Sequence, residues 1–310
     1  MQYYKIKEQR LIGEDNMLIK DKLKKLTNIT IVQKQIIEFM LNEQYNLKQL
    51  TMTQIAHRTY TSPAALSRLA KKMGFNGFVE FKMAYLEELE YLDSQKDSID
   101  ANIPFKGNDN IMTILNKIAQ LEEESIKDTV QFMKHDELRK AVNILRDSQI
   151  IHLCGVSFNC FLGKNFALKM SRIGKRVEVC DIPNEFLYTK PLIQKGDVAI
   201  VISYSGGHEI IHQMIDMYEK MGIPIIGITA YGQSYLRDHA TVTLTVSTKE
   251  KMYSKIAGYS NETSIKFILD TLYSCYFALN YDYHFKTKKE LSRYIESDKK
   301  TDISVIEEND

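Results

Sequence analysis

Two hydrophobic rhythms divide this chain. From about residue 17 to 92 apolar side chains return every three or four positions, and no run alternates long enough for a strand. Ile31, Ile36, Ile37, Met40 and Leu41 trace one helical face, Ile55 and Ala56 a shorter one, and Leu66, Leu69 and Met73 a third. Gly74 and Gly77 punctuate the third pattern before a helix resumes over Phe78 to Leu92. Residues 93–110 are polar, contain Pro104 and Gly107, and read as an interdomain linker.

Beyond the linker, Ile111 to Met133 and Glu137 to Leu145 keep the helical period. The character then changes. Short β-branched runs at Ile150–Leu153, Val177–Val179, Val198–Ser203, Ile223–Thr229 and Val242–Val246 alternate with helices, the last spanning about Glu262 to Leu279. Strands this apolar, alternating with helices, predict a parallel sheet covered on both faces. The expected class is α/β: an all-α domain over 17–92, the linker over 93–110, a doubly wound three-layer α/β/α domain over 111–290, and a charged tail over 291–310. Residues 1–16 read as an extension ahead of the first domain.

Composition sharpens this picture in one respect. The net charge of +1 conceals an asymmetry, because residues 17–84 carry 11 Lys and Arg against four acids, which leaves the rear of the chain net negative. A basic front on an acidic rear is the pattern of a polyanion-binding module joined to something else. The cysteines Cys154, Cys160, Cys180 and Cys275 lack metal-ligand spacing and read as reduced core residues. With no secretion signal and no apolar run of membrane-spanning length, a soluble cytoplasmic protein is expected.

The stretch from Leu50 to Gly74 carries the first candidate site. Thr51 or Thr53 can cap a short helix around Ile55 and Ala56, Ser62 suits an N-cap, and Pro63 suits a first helical position. A helix over Pro63 to Met73 turns Leu66, Leu69 and Met73 inward and leaves Ala64, Ser67, Arg68, Lys71 and Lys72 outward. Small residues at its start and cations along it are what a recognition helix in a major groove requires. Thr53, Ser62, Pro63, Ala64, Ser67, Arg68, Lys71 and Lys72 are the expected DNA contacts. Arg68 is the best candidate for a base edge, and the two lysines for phosphate. The bland alternative is a solvated charged face on an ordinary helical domain.

Directly after this helix, Gly74-Phe-Asn-Gly-Phe-Val-Glu-Phe-Lys82 resembles a conserved segment of the RpiR-type transcriptional regulators, as do Thr61-Ser-Pro-Ala64 and Lys71-Lys-Met-Gly-Phe75. The resemblance extends over residues 17–290, and it implies a helix-turn-helix joined to a sugar isomerase (SIS) domain.

Within the second domain, the run Val198–Ile202 leads into Ser203-Tyr-Ser-Gly-Gly-His-Glu209 and then a helix. Hydroxyls, glycines and a helix N-terminus at the end of a parallel strand make an anion cradle. The resemblance places Ser157, Asn159, Ser203, Ser205, Gly206, Gly207, His208, Thr229 and Glu262 around a phosphorylated sugar. Three positions depart from the family pattern: Ser157 stands for a Gly, Asn159 for a Ser and His208 for a Thr. An altered sugar derivative is therefore expected rather than a standard hexose phosphate.

His208-Glu-Ile-Ile-His212 also matches the zinc-protease pattern H-E-x-x-H. Its setting after a phosphate-type loop, with no evident third ligand, argues against zinc, and no metal or cofactor is expected. His212 reads as a helix-surface residue. The alternative function is an aldose–ketose isomerase, for which Glu209, His208 or Glu262 would have to serve as base. The fused DNA-binding motif favours a non-enzymatic regulator of carbohydrate-metabolism genes, acting as a homodimer or homotetramer on palindromic double-stranded operator DNA.

Overall fold

The computed structural model describes residues 18–94, 98–180 and 183–296. The expected N-terminal extension and the end of the charged tail lie outside them. The described residues form two compact units, one of those up to Asp100 together with Tyr231–Ser234, and one of Ala101–Ala230 and those from Tyr235 onward.

In the first unit, helices α1 (Ile19–Lys25), α2 (Ile31–Glu43), α3 (Met52–Arg58), α4 (Pro63–Lys72) and α5 (Phe78–Ser94) enclose one core. Three of the starts, those of α2, α3 and α4, are written in the local sequence. Thr30 caps α2 and Thr51 caps α3, each in a capping box closed by Gln33 or Gln54. Ser62 caps α4, with Pro63 at the first helical position. Ile36, Ile37, Met40, Ile55, Leu66, Leu69, Met73, Phe81 and Tyr85 fill the core. Ile31 is the exception to the apolar face read from the sequence: as the first residue of α2 it is exposed. No side chain of its own caps α1, and Glu88 of α5 does so instead, its buried carboxylate accepting from the amides of Ile19 (2.5 Å) and Lys20 (2.8 Å).

The second unit begins with α6 (Ile111–Phe132) and α7 (His135–Asp147), followed by β1 (Ile151–Gly155), α8 (Phe158–Ser171) and β2 (Val177–Val179). It continues through a 3-10 stretch (Pro183–Leu192), β3 (Val198–Ile202), α9 (Glu209–Lys220), β4 (Ile225–Ala230), α10 (Tyr235–His239) and β5 (Val242–Val246). The long α11 (Tyr259–Ala278) and α12 (Tyr281–Glu296) complete it. The five strands are parallel in the order β2-β1-β3-β4-β5. Alternation along β3 shows the three layers: Val198, Ile200 and Ile202 join the core under α7, α8 and α11, while Ala199 and Val201 face the core under α9. Successive connections reverse direction between β1 and β3, and a crevice opens there at the carboxyl ends of the strands.

Two boundaries differ from the periodicity. The polar stretch read as a linker is structured from residue 101: Ala101 and Asn102 are buried, and the Asn102 side chain accepts from the Lys251 amide (2.7 Å) and donates to the Lys249 carbonyl (3.2 Å). Polar composition hid this, because Asn102 is satisfied by backbone groups rather than by water. The tail expected from 291 is helical as far as Glu296, since α12 continues through it.

Candidate functional site

Two groups of residues gather chemistry, one in each unit. In the first, α3 and α4 form the helix-turn-helix. Thr53, Pro63, Ala64, Arg68 and Lys71 are exposed, and Ser67 is partly so. Ser62 spends its hydroxyl on the cap, accepting from the Ala65 amide at 3.3 Å. The Lys72 ammonium donates to the Asn28 carbonyl at 2.6 Å, which ties α4 to the loop before α2. Sequence alone did not foresee that bond. Among the described residues no ion pair holds Arg68 or Lys71.

The turn between the two helices is a Schellman closure. The Thr61 amide donates to Ala56 O (2.8 Å) and the Tyr60 amide to His57 O (3.2 Å). This puts Tyr60 at the position where glycine is usual, with φ 52°. A side chain there costs about 1 kcal/mol relative to glycine. Two hydroxyls hold the strained turn: Thr59 Oγ1 donates to Ile55 O (2.8 Å) and lies 2.8 Å from Thr61 Oγ1.

In the second unit the crevice between the ends of β1 and β3 has a volume of ≈ 350 Å³. Six predicted residues meet there: Ser157, Asn159, Ser203, Ser205, His208 and Glu262. Both α8 and α9 open into it without a side-chain cap, α8 from Ser157 and α9 from His208. Two helix N-termini thus direct main-chain donors and partial positive charge at one spot. The third nearby terminus is closed, because the buried Glu250 carboxylate accepts from the amides of Ser260 (2.7 Å) and Asn261 (3.0 Å) at the start of α11. The same carboxylate pairs with Lys255 at 2.7 Å.

The other predicted residues serve the loop rather than line the cleft. The Gly206 amide donates to Ser203 Oγ (3.1 Å) and the Gly207 amide to Ser205 Oγ (3.4 Å), so these amides are used within the turn and not left for a ligand. Gly206 takes φ 64°, the left-handed geometry the turn needs. Thr229, expected in the pocket, is buried inside β4, where its hydroxyl donates to Tyr204 O at 3.3 Å and anchors the loop from below. His212 is not a plain surface residue: its Nε2 donates to Gly206 O at 2.9 Å and its ring packs, tilted, against Tyr235. This bond occupies the nitrogen that the zinc pattern would have used. Glu209 is exposed and does not line the cleft.

Ser157 stands where the family pattern has glycine and keeps a positive φ of 58°. A side chain is strained into a backbone conformation that glycine adopts freely. Tyr204, Met252, Lys255 and Asn261 also line the cleft, and sequence reasoning missed them. Met252 and Lys255 lie in the irregular run between β5 and α11, where periodicity carries no signal, and Asn261 lies in the first turn of α11. Asn261 Oδ1 is buried with no hydrogen-bond partner among the described residues, an acceptor without a donor. Burial, and secondarily the nearby Glu250 charge, hold the Glu262 carboxyl above its ordinary range, with Lys255 opposing them.

Tyr204 links this loop to the rest of the unit. Its hydroxyl donates to Glu250 O (3.1 Å) and accepts from the Glu250 amide (3.0 Å). The same run, 249–256, grips Asn102 through the Lys249 carbonyl and the amides of Lys251 and Ile256. A continuous set of hydrogen bonds therefore joins the cleft loop to the first residues of the unit. By contrast, a shallow groove at the opposite end of the sheet has its cations engaged, Arg139 with Asp136 and Lys140 with the Thr241 carbonyl.

Comparison with known proteins accords with this division. A family model for the rpiR-family helix-turn-helix domain matches residues 17–91, and one for the SIS domain matches residues 144–280. An uncharacterized HTH-type transcriptional regulator of Caldanaerobacter subterraneus is 29% identical over 227 residues, 73% of this chain and 79% of that protein. Among solved structures, the NanR protein of Vibrio vulnificus complexed with ManNAc-6P is similar over 92% of this chain and 100% of its own, with TM-score 0.56 and 20% identity. A Listeria monocytogenes putative sugar-phosphate isomerase covers 61% of this chain and 100% of its own, with TM-score 0.53 and 18% identity. Helix-turn-helix, parallel-sheet domain and family matches agree, and the chain belongs with the RpiR-type transcriptional regulators, an rpiR-family helix-turn-helix domain joined to a SIS domain.

Proposed function

We propose that the chain binds operator DNA through α4 and that a phosphorylated sugar in the β1/β3 crevice controls this binding. The observation that carries the reading is the pair of uncapped helix N-termini, α8 and α9, converging on one cleft beside Ser157, Ser203 and Ser205. Such an arrangement suits a compact dianion with hydroxyls around it. Asn261 Oδ1 and the Glu262 carboxyl add acceptor capacity, which favours a sugar presenting donors, an amine or amide N–H among them. The bound amino-sugar phosphate of the Vibrio vulnificus protein supports that class.

On the DNA side, Arg68 reads base edges and Lys71 meets phosphate, with Thr53, Ser67, Ala64 and the start of α4 at the groove. A palindromic operator calls for two copies, so the acting form is a homodimer or homotetramer. The Tyr204–Glu250–Asn102 bonds supply the coupling: a ligand that shifts the loop biases the segment through which the chain enters the second unit. The regulated genes are those of carbohydrate use, and the setting is cytoplasmic.

An isomerase reading has one observation in its favour, the Glu262 carboxyl in the cleft with its raised protonation range. The helix-turn-helix outweighs it. A thermal-shift screen of hexose and hexosamine phosphates, followed by product analysis on each hit, separates the two. Stabilisation without turnover supports the sensor, and turnover of a hit supports the isomerase.

A further inference from the structure

Tyr60 combines three properties that rarely coincide. It is 93% exposed, it occupies the left-handed position of the Schellman turn, and it lies two residues before the N-cap of α4. A large aromatic gains nothing from packing at that exposure, while glycine or asparagine would adopt the same backbone with less strain. The Thr59 and Thr61 hydroxyls meanwhile fix the turn, so the ring projects from a rigid base. His57, Arg58 and Ser62 beside it are exposed as well. A residue that is costly in conformation, unburied and rigidly presented serves something outside the chain.

We infer that Tyr60 is a further DNA-contacting residue, its hydroxyl donating to a backbone phosphate oxygen at the rim of the groove that α4 enters. The inference rests on the DNA-binding reading above. In helix-turn-helix docking the first helix crosses the sugar-phosphate backbone while the second enters the groove, so the turn joining them lies over the rim. Tyrosine hydroxyls are regular phosphate donors, and the ring can cover the adjacent sugar. The contact positions the protein and reads no base. Its loss weakens binding to every sequence alike, unlike the loss of Arg68.

The test uses the full chain and a fluorescein-labelled duplex of arbitrary sequence, about 24 base pairs long, at about 50 mM salt, where non-specific binding is measurable. Tyr60→Phe removes only the hydroxyl and is expected to weaken binding about fivefold. Tyr60→Gly removes the ring too and should weaken it at least tenfold. Thermal unfolding of the same Gly variant is expected to rise by about 4 °C, because strain is relieved. The opposite signs separate a binding role from a folding role. Wild-type affinity in both variants overturns the inference, as does a lowered melting temperature for Tyr60→Gly. Weakening by Gly but not by Phe overturns the phosphate bond. A wild-type chain that binds no duplex overturns the DNA-binding reading itself, and this inference with it.

Discussion

The two units are built to meet anions by opposite means. The first presents side-chain cations, Arg68 and Lys71, on the outside of a helix whose own N-terminus is capped by Ser62. The second presents main-chain donors, from two helices left uncapped, inside a cleft whose lysine is already paired with Glu250. Geometry explains the division. A polyanion is long and its charges repeat, so flexible cations on a convex surface can find them, and counterion release supplies much of the affinity. A single phosphoryl group is small and directional, and fixed amides discriminate it with little ordering entropy.

The largest effect expected on this contrast comes from Glu250, which closes the third helix N-terminus and pairs Lys255. Glu250→Ala leaves the α11 amides uncapped and Lys255 without its carboxylate, and should destabilise the second unit by about 3 kcal/mol, read as a drop in its thermal unfolding transition with the first unit unaffected. Next is Arg68→Ala, expected to weaken specific DNA binding by about 1–3 kcal/mol while leaving sugar-phosphate binding as it was. Wild-type DNA binding should also fall steeply with added salt, and effector binding only slightly. Equal salt slopes for the two would mean that both units meet their anions by the same means.

A smaller and opposite effect is expected at Ser157, where φ is 58°. Ser157→Gly relieves strain and should stabilise the second unit by about 1 kcal/mol, measured by chemical denaturation, with DNA affinity unchanged. The smallest effect is a pH dependence in the first unit. Burial holds the Glu88 carboxyl above its ordinary value of 4.5, against the lowering influence of the Lys20 and Ile19 amides. The folded state thus binds this proton more tightly than the unfolded state. Glu88 contributes stability that is full below pH 4.5 and lost as pH rises through its folded value. Melting temperatures of wild type should fall relative to Glu88→Gln over that rise, and parallel profiles would contradict it.

Much of this was legible from the sequence, for identifiable reasons. Caps and periodicity located α3 and α4, because Thr51, Ser62 and Pro63 act locally. Four of the five strands are buried on both faces, so their apolar runs stand out, while β2 at the sheet edge is only partly buried and was found by its β-branched residues. Most of the cleft was legible because its loops follow strands: Ser157, Asn159 and Ser203 come directly after β1 and β3, and the family resemblance added Glu262. Lys255 and Asn261 were not, since an irregular segment held through Tyr204 and Glu250 brings Lys255 and the first turn of α11 to the cleft. Thr229 misled because the end of a strand can point into a crevice or into the layer beneath it, and pattern alone does not distinguish the two. Tyr60 escaped notice because an exposed tyrosine carries no periodic signal; only its φ singles it out.

The central claim is that one chain reads DNA with the first unit and is governed by a phosphorylated sugar in the second. It is tested most directly by titrating the full chain onto the DNA upstream of its own coding region, with and without a sugar phosphate that raises its melting temperature. Specific binding is expected, with an affinity that changes about 5- to 150-fold when the sugar phosphate is added. An affinity that the bound sugar phosphate leaves unchanged, or no binding to any fragment, would contradict it.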